Sequence, residues 1–257
     1  SAAIEVLTAF GLLTIEKNQN IDKVWLAKFC QRVENQFIGV NCGIMDQFSV
    51  ALGKKDHAIL LDCNSLHYEY VPLNLGNYSL VIMNTKKRRE LAESKYNERR
   101  AECEAVLDIL RQYFLIEDLC SASIESINKL VTDPVLKRRA SHVVNENLRV
   151  KKAVDVLKHG DLKYFGLLLN DSHRSLRDDY EVTGFELDTI VSEAQDSAYC
   201  LGARMTGAGF GGCAIALVQT AHFDKFTEQV GMAYNEATGL TPEFYISAIG
   251  DGVRLSN

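Results

Sequence analysis

The segment Thr206-Gly-Ala-Gly-Phe-Gly-Gly-Cys213 constrains the fold of this chain more than any other. Four glycines in six residues allow left-handed backbone and close backbone approach, and the apolar run 214–218 that follows reads as a buried strand. Successive N–H groups in such a turn can cradle an anion. The segment is not a Walker loop, because no Gly-Lys-[Ser/Thr] follows, and it precedes a strand where a dinucleotide fingerprint would follow one. A tight turn that holds no ligand is an equally good account of the glycines taken alone.

The surrounding pattern predicts an α+β protein. Apolar spacing gives helices over 3–13 and from an Asp22 N-cap to Phe37, and a short helix over 44–52 ending at Gly53. Strands are expected at 58–62, 67–71 and 78–84. From Arg89 about a hundred residues read as helical, with one charged helix over 90–114, another started by Asp133-Pro134 and ending near Gly160, and N-caps at Asp161 and Thr183. A strand at 213–218, a helix over 221–238 and a strand at 244–249 close the chain, which implies helices layered over an antiparallel sheet. A boundary is expected between Val71 and Tyr78, giving domains of 1–75 and 76–257.

Composition narrows the function. With 28 Lys and Arg against 34 Asp and Glu, the formal charge of −6 does not suit a nucleic-acid partner, and no apolar run reaches the ~18 residues of a membrane span. The seven cysteines are odd in number and without a Cys-x-x-Cys pair, so reduced, mostly buried thiols in a cytoplasmic protein are expected. Histidines 57, 67, 142, 159, 173 and 222 show no zinc spacing and read as surface or capping residues.

Three further constellations stand out. In Gly39-Val-Asn-Cys-Gly-Ile-Met-Asp-Gln47 two glycines bracket a turn that feeds the short helix. Asp46 lies about 160° around that helix from Phe48, away from the apolar stripe and in the first turn, where the dipole favours a carboxylate. It is either a general base or a dipole-compensating surface residue. Glu34, in Arg32-Val-Glu-Asn35, sits on an apolar face twelve residues earlier and is either a cation ligand or a salt-bridged helix residue. The runs 84–90 and 94–100 are basic but interleaved with Glu90, Glu93, Glu98, Glu102 and Glu104, so they read as a charged helix face; Tyr96 within them could bond a sugar or simply pack. The polar segment 172–180 has no assigned chemistry and is expected to form a buried ion-pair network.

Taken together, the strings GVNCGIMDQF (39–48), GKKDHAILLDC (53–63), SKYNERRAECE (94–104), DDYEVTGFELD (178–188) and ARMTGAGFGGCAIALV (203–218) resemble the bacterial galactokinase family of the GHMP small-molecule kinases. The resemblance covers the whole chain. Of the family's three motifs, the N-terminal Arg-x-Asn-Leu-Ile-Gly-Glu-His-Thr-Asp segment is absent, the Gly-Leu-Ser-Ser-Ser-Ala phosphate loop is matched only by Ser1-Ala2-Ala3, and the third is intact at 206–212. The chain thus resembles a galactokinase lacking its N-terminal third, namely the tail of an N-terminal α/β domain followed by the complete C-terminal α+β domain. These residues alone are expected to be inactive.

The resemblance implies ATP-dependent phosphorylation of galactose at the C1 hydroxyl, with Mg²⁺, by a monomer. It implies that Asp46 is the catalytic, sugar-facing aspartate, that Gly43 contacts the sugar through its backbone and that Tyr96 binds the sugar. It further implies that Glu34 and Ser1 hold magnesium, and that Ser1, Gly207, Gly209 and Gly211 line the phosphate site. The family pairs the aspartate with an arginine of the absent motif. Another sugar-1-kinase, or a silent galactose and ATP sensor, remains an alternative.

Overall fold

In the computed structural model the described residues are 1–17, 20–39, 42–88 and 92–255, the side chains of 92–94 excepted. The expectations at Val40, Asn41, Arg89 and Glu90, and for the side chain of Glu93, lie outside them. The chain forms two compact units, Ser1–Asn74 with Ile249–Asn257, and Leu75–Ala248.

The first unit is built from α1 (Ala2–Ile15), α2 (Lys23–Val33), a π-helical turn (Glu34–Ile38), α3 (Met45–Leu52) and an antiparallel pair, β1 (His57–Leu61) and β2 (Tyr68–Pro72). Asp22 caps α2 as expected, its carboxylate accepting from Val24 and Trp25 N. Val6, Leu26, Ala27, Cys30, Phe48 and Ala51 form the core, while Ile4 and Leu7 of α1 stay exposed. The last described residues, assigned from sequence to the second domain, pack here instead: Gly252 N donates to Gly53 O at 2.7 Å and Val253 N to Val50 O at 2.8 Å.

The second unit is α+β. Its sheet runs β4 (Cys200–Thr206), β5 (Cys213–Gln219), β3 (Tyr78–Asn84), β6 (Glu243–Ser247), antiparallel throughout. The sequence pattern missed β4 because Gly202 interrupts its apolar alternation and a register shift between Cys200 and Gly202 breaks the period. One sheet face carries Val81, Met83, Ala203, Met205, Ala214, Ala216 and Val218, and α8 (Phe185–Asp196) and α9 (Phe223–Thr238) bury it with Leu187, Ile190, Phe226, Val230 and Tyr234. Helix α8 begins one residue later than expected: its N-cap is Gly184 at φ 95°, not Thr183, whose side chain is buried.

Helices α4 (Ala92–Arg111), α5 (Ile124–Leu130) and α6 (Pro134–Lys158) share a separate core of Val106, Leu110, Ile127, Ala140 and Val144. Asp133 and Asp161 cap α6 and α7 (Leu162–Asp178) through their side chains, as the pattern predicts. Where α7 meets β4 the backbones touch: a Cβ on Gly166 would overlap Leu201 O, and one on Gly202 would overlap Gly166 O.

Helix propensity alone makes Gly166→Ala stabilising by about 1 kcal/mol. The contact with β4 reverses the sign, and we expect a loss of about 3 kcal/mol, at the upper end of overpacking costs. Urea unfolding decides between them, and an unchanged or raised midpoint would disprove the close approach.

Candidate functional site

In the first unit the sequence-predicted residues gather around the start of α1 and the π turn. Ser1 is the N-cap of α1, and its hydroxyl hydrogen-bonds the Glu34 carboxylate, the first residue of the π turn. Glu34 is buried, 5% exposed. Sequence reasoning extended α2 unbroken to Phe37; the structure widens the turn at Glu34, a distortion that often accompanies functional sites.

Glu5, not singled out from sequence, completes the group. Burial first, then the hydrogen bond with Glu34 and the Glu34 charge, raise its pKa, whereas the hydrogen bonds from Ser1 and Glu5 hold Glu34 below the usual carboxylate range. Glu5 Oε2 and Gln47 Oε1 are sealed from solvent without a hydrogen-bonding partner. The spacing Ser1 to Glu5, one helical turn, was the available sequence signal. This set of hard oxygens with an orphaned carboxylate oxygen fits Mg²⁺, which takes one or two carboxylates and draws its other ligands from water and phosphate. Among the described residues no three His, Cys, Asp or Glu side chains converge on a metal position.

Asp46 lies in the first turn of α3, exposed, while Gln47, Phe48, Ala51 and Leu52 of the same helix are buried. Gly43, also exposed, precedes it. The turn before α3 is held from below: Gln31 Nε2 donates to Cys42 O at 3.2 Å, and Cys42 N donates to Asn35 Oδ1 at 3.1 Å.

In the second unit the glycine segment is the connection between β4 and β5. Gly207, Gly209, Gly211 and Gly212 have φ between 80° and 110°, and Phe210 joins them at 56°. Gly212 O accepts from both Thr85 N (3.0 Å) and Thr85 Oγ1 (2.7 Å), and Tyr234 OH donates to Thr85 O at 2.8 Å. Phe210 N donates to Val182 O at 2.8 Å, so that amide is committed to the protein. A Cβ on Gly209 would overlap the same carbonyl. Tyr96 projects from α4, 42% exposed, on the rim of a 290 Å³ cavity also lined by Cys103, Leu107, Val143 and Tyr180.

The segment 172–180 differs from the expected buried ion-pair network: its Arg174–Asp171 and Arg177–Asp178 pairs are exposed, and its inner contacts are hydrogen bonds of serine hydroxyls. Ser172 Oγ donates to Glu146 at 2.6 Å, Ser175 Oγ donates to Asp179 Oδ2 at 2.8 Å, and His142 Nδ1 lies 2.9 Å from Ser175 Oγ. His142 and His173 are buried, against the expectation of surface histidines. The thiols also differ from expectation: the cysteines are free, but among the seven only Cys30 is buried, and Cys63 and Cys120 are exposed.

Tyr180 stacks on His142 at 4.4 Å between ring centroids. Burial, then the charges of Arg149 and Arg204, push the His142 pKa from 6.5 down to about 4. The folded protein thus refuses a proton that the unfolded chain accepts, so stability present above pH 6.5 is lost as pH falls from 6.5 towards 4, by roughly 3 kcal/mol. Melting temperatures of His142→Gln should fall less steeply across that window than those of the parent. An identical slope would remove His142 from the account.

Two family models match the chain, GHMP kinases N terminal domain over residues 1–54 and GHMP kinases C terminal over 152–235. The galactokinase of Clostridium perfringens is 55% identical over 255 residues, 98% of this chain and 66% of that protein. The galactokinase of Clostridium acetobutylicum is 54% identical over 260 residues, covering all of this chain and 67% of that protein. The chain spans 66% of the length of the first relatives it matches. The crystal structure of Lactococcus lactis galactokinase complexed with galactose superposes with a TM-score of 0.93 at 48% identity, over 98% of this chain and 66% of that one. L. major mevalonate kinase, at 18% identity and a TM-score of 0.63, shares the fold. By these likenesses, and by a sheet and glycine segment arranged as described, the chain belongs to the galactokinase family of the GHMP kinases.

Proposed function

We propose that the whole protein transfers the γ-phosphoryl group of ATP to the C1 hydroxyl of galactose, as a cytoplasmic, monomeric enzyme. The observation that carries this reading is Asp46: a carboxylate exposed at the N-terminus of α3, three residues after Gly43, on a helix whose other face is anchored by Phe48 and Ala51. The likeness to a galactokinase complexed with galactose supports the choice of sugar.

Phosphoryl transfer needs in-line positioning and charge neutralisation more than covalent help. Asp46 accepts a hydrogen bond from the sugar hydroxyl and takes its proton as the bond to phosphorus forms. Gly43 leaves room for the sugar beside the backbone, and Tyr96 offers a ring face and a hydroxyl to it. Gly207, Gly209 and Gly211 allow the phosphates to approach the β4–β5 connection closely. Glu34 and Ser1 would hold Mg²⁺, which neutralises charge on the transferring phosphoryl group.

The unit Ser1–Asn74 with Ile249–Asn257 then belongs to the N-terminal kinase domain, and Leu75–Ala248 forms the C-terminal one. Asp46→Ala should fold normally and lose about 10²–10⁴ in kcat, the usual contribution of a positioned base. Galactose should be turned over faster than N-acetylgalactosamine or arabinose, and chelation of Mg²⁺ should stop the reaction until the ion is restored. Coupled assay of ADP release with each sugar tests all three. Binding of galactose and ATP without turnover would instead identify a sensor.

A further inference from the structure

The segment 172–181 and the helix that carries Tyr96 meet at one side chain. Arg139, in α6, is 2% exposed, and its guanidinium reaches three acceptors at once. Nε donates to Glu102 Oε2 of α4 at 2.9 Å, Nη1 to Asp179 O at 2.5 Å and Nη2 to Glu181 Oε2 at 2.6 Å. Glu102 also accepts from Arg99 Nη1 at 2.8 Å, and Glu181 from Arg138 at 3.2 Å.

What lies on either side of this staple gives it meaning. Glu181 has φ 54°, left-handed backbone that a side-chain-bearing residue adopts at a cost and keeps only when its surroundings hold it there. The next residue, Val182, presents the carbonyl that accepts from Phe210 N at 2.8 Å and fills the space beside Gly209. In the other direction, Arg99 and Glu102 lie about one and two turns along α4 from Tyr96. A buried arginine is expensive to desolvate, and apolar residues of similar volume often serve stability as well. What they cannot do is fix three acceptors on two chain segments through one planar fork, which a guanidinium does and an ammonium does not.

We propose that Arg139 is a positioning residue that holds the glycine connection and the Tyr96 helix in fixed relation, and so sets the affinity of the protein for both substrates. The inference rests on the functional reading of Tyr96 and of Gly207–Gly212 given above. The Asp179–Glu181 turn is the lever: it transmits the position of Arg139 to Val182 O and from there to Phe210.

Three variants of the whole protein test this. Arg139→Lys should raise KM for galactose and for ATP, each roughly five- to tenfold, the scale of one ordinary hydrogen bond, with kcat changed less than twofold. Glu102→Gln should raise chiefly the galactose KM, and Glu181→Gln chiefly the ATP KM. Glu181 is half-exposed, so its variant folds even where Arg139→Lys does not. Amide hydrogen exchange supplies a readout independent of turnover: without substrates, residues 207–212 should exchange faster in Arg139→Lys and Glu181→Gln than in the surface control Arg100→Lys. Unchanged exchange in that segment, or a lowered melting temperature with both KM values unchanged, would overturn the proposal. Absence of galactose turnover in the parent protein would refute the functional reading, and the exchange measurement would still decide whether Arg139 holds the glycine connection.

Discussion

Closure of the β4–β5 connection is the constraint on which the second unit depends. Thr206 and Cys213 are paired across adjacent antiparallel strands, and the six residues between them turn the chain with five positive φ angles. Only glycine meets that requirement cheaply, and Gly209 and Gly211 are further confined because Val182 O and Lys87 O stand where a Cβ would project. The register Met205↔Ala214 and Ala203↔Ala216 follows from this turn, and with it the apolar sheet face that α8 and α9 cover. The backbone freedom that lets the sheet form is thus the same freedom on which the proposed approach of a phosphate draws.

The turn is held from two sides by unlike interactions. On the sheet side, buried Thr85 holds Gly212 O through a short hydrogen bond and is itself held by Tyr234 OH. On the helical side, Val182 O holds Phe210 N, and the position of Val182 depends on the buried guanidinium of Arg139. Burial works against the charge of Arg139, but its hydrogen bonds to Glu181 and Glu102 outweigh it and raise its pKa. Losing either carboxylate leaves a buried charge short of a partner, the costly half of such an arrangement. In the first unit the Glu5–Glu34 pair has the opposite character: two acids lie within hydrogen-bonding reach of each other, and a carboxylate oxygen is left with no donor. A satisfied network suits a scaffold, and an unsatisfied one suits a binding site.

Much of this was legible in the sequence where local chemistry decides the outcome. Asp22, Asp133 and Asp161 announce their helices by capping them, and the apolar run 78–84 becomes β3 without change of bounds. Exposure of Asp46 follows from its angle to Phe48. What was not legible depends on tertiary approach. Strand β4 hides because Gly202 is there to admit α7, not to build a strand, and Thr183 fails as a cap because its side chain is needed in the interior. Glu5 reads as one more helical acid until folding buries it against Glu34, and Arg139 as one of several basic residues in a charged helix. Pairing across sequence distances of 37 to 42 residues carries no local signal.

The central claim is that a carboxylate at the head of α3 directs phosphoryl transfer to the anomeric hydroxyl of galactose. Phosphorus-31 NMR of the reaction mixture tests it most directly. With ATP, Mg²⁺ and galactose, the whole protein should produce a single sugar phosphate resonance split by the anomeric proton, and methyl galactoside, whose C1 oxygen is blocked, should give none. A phosphorylated methyl galactoside, or a phosphate ester at any other carbon of galactose, would contradict the account.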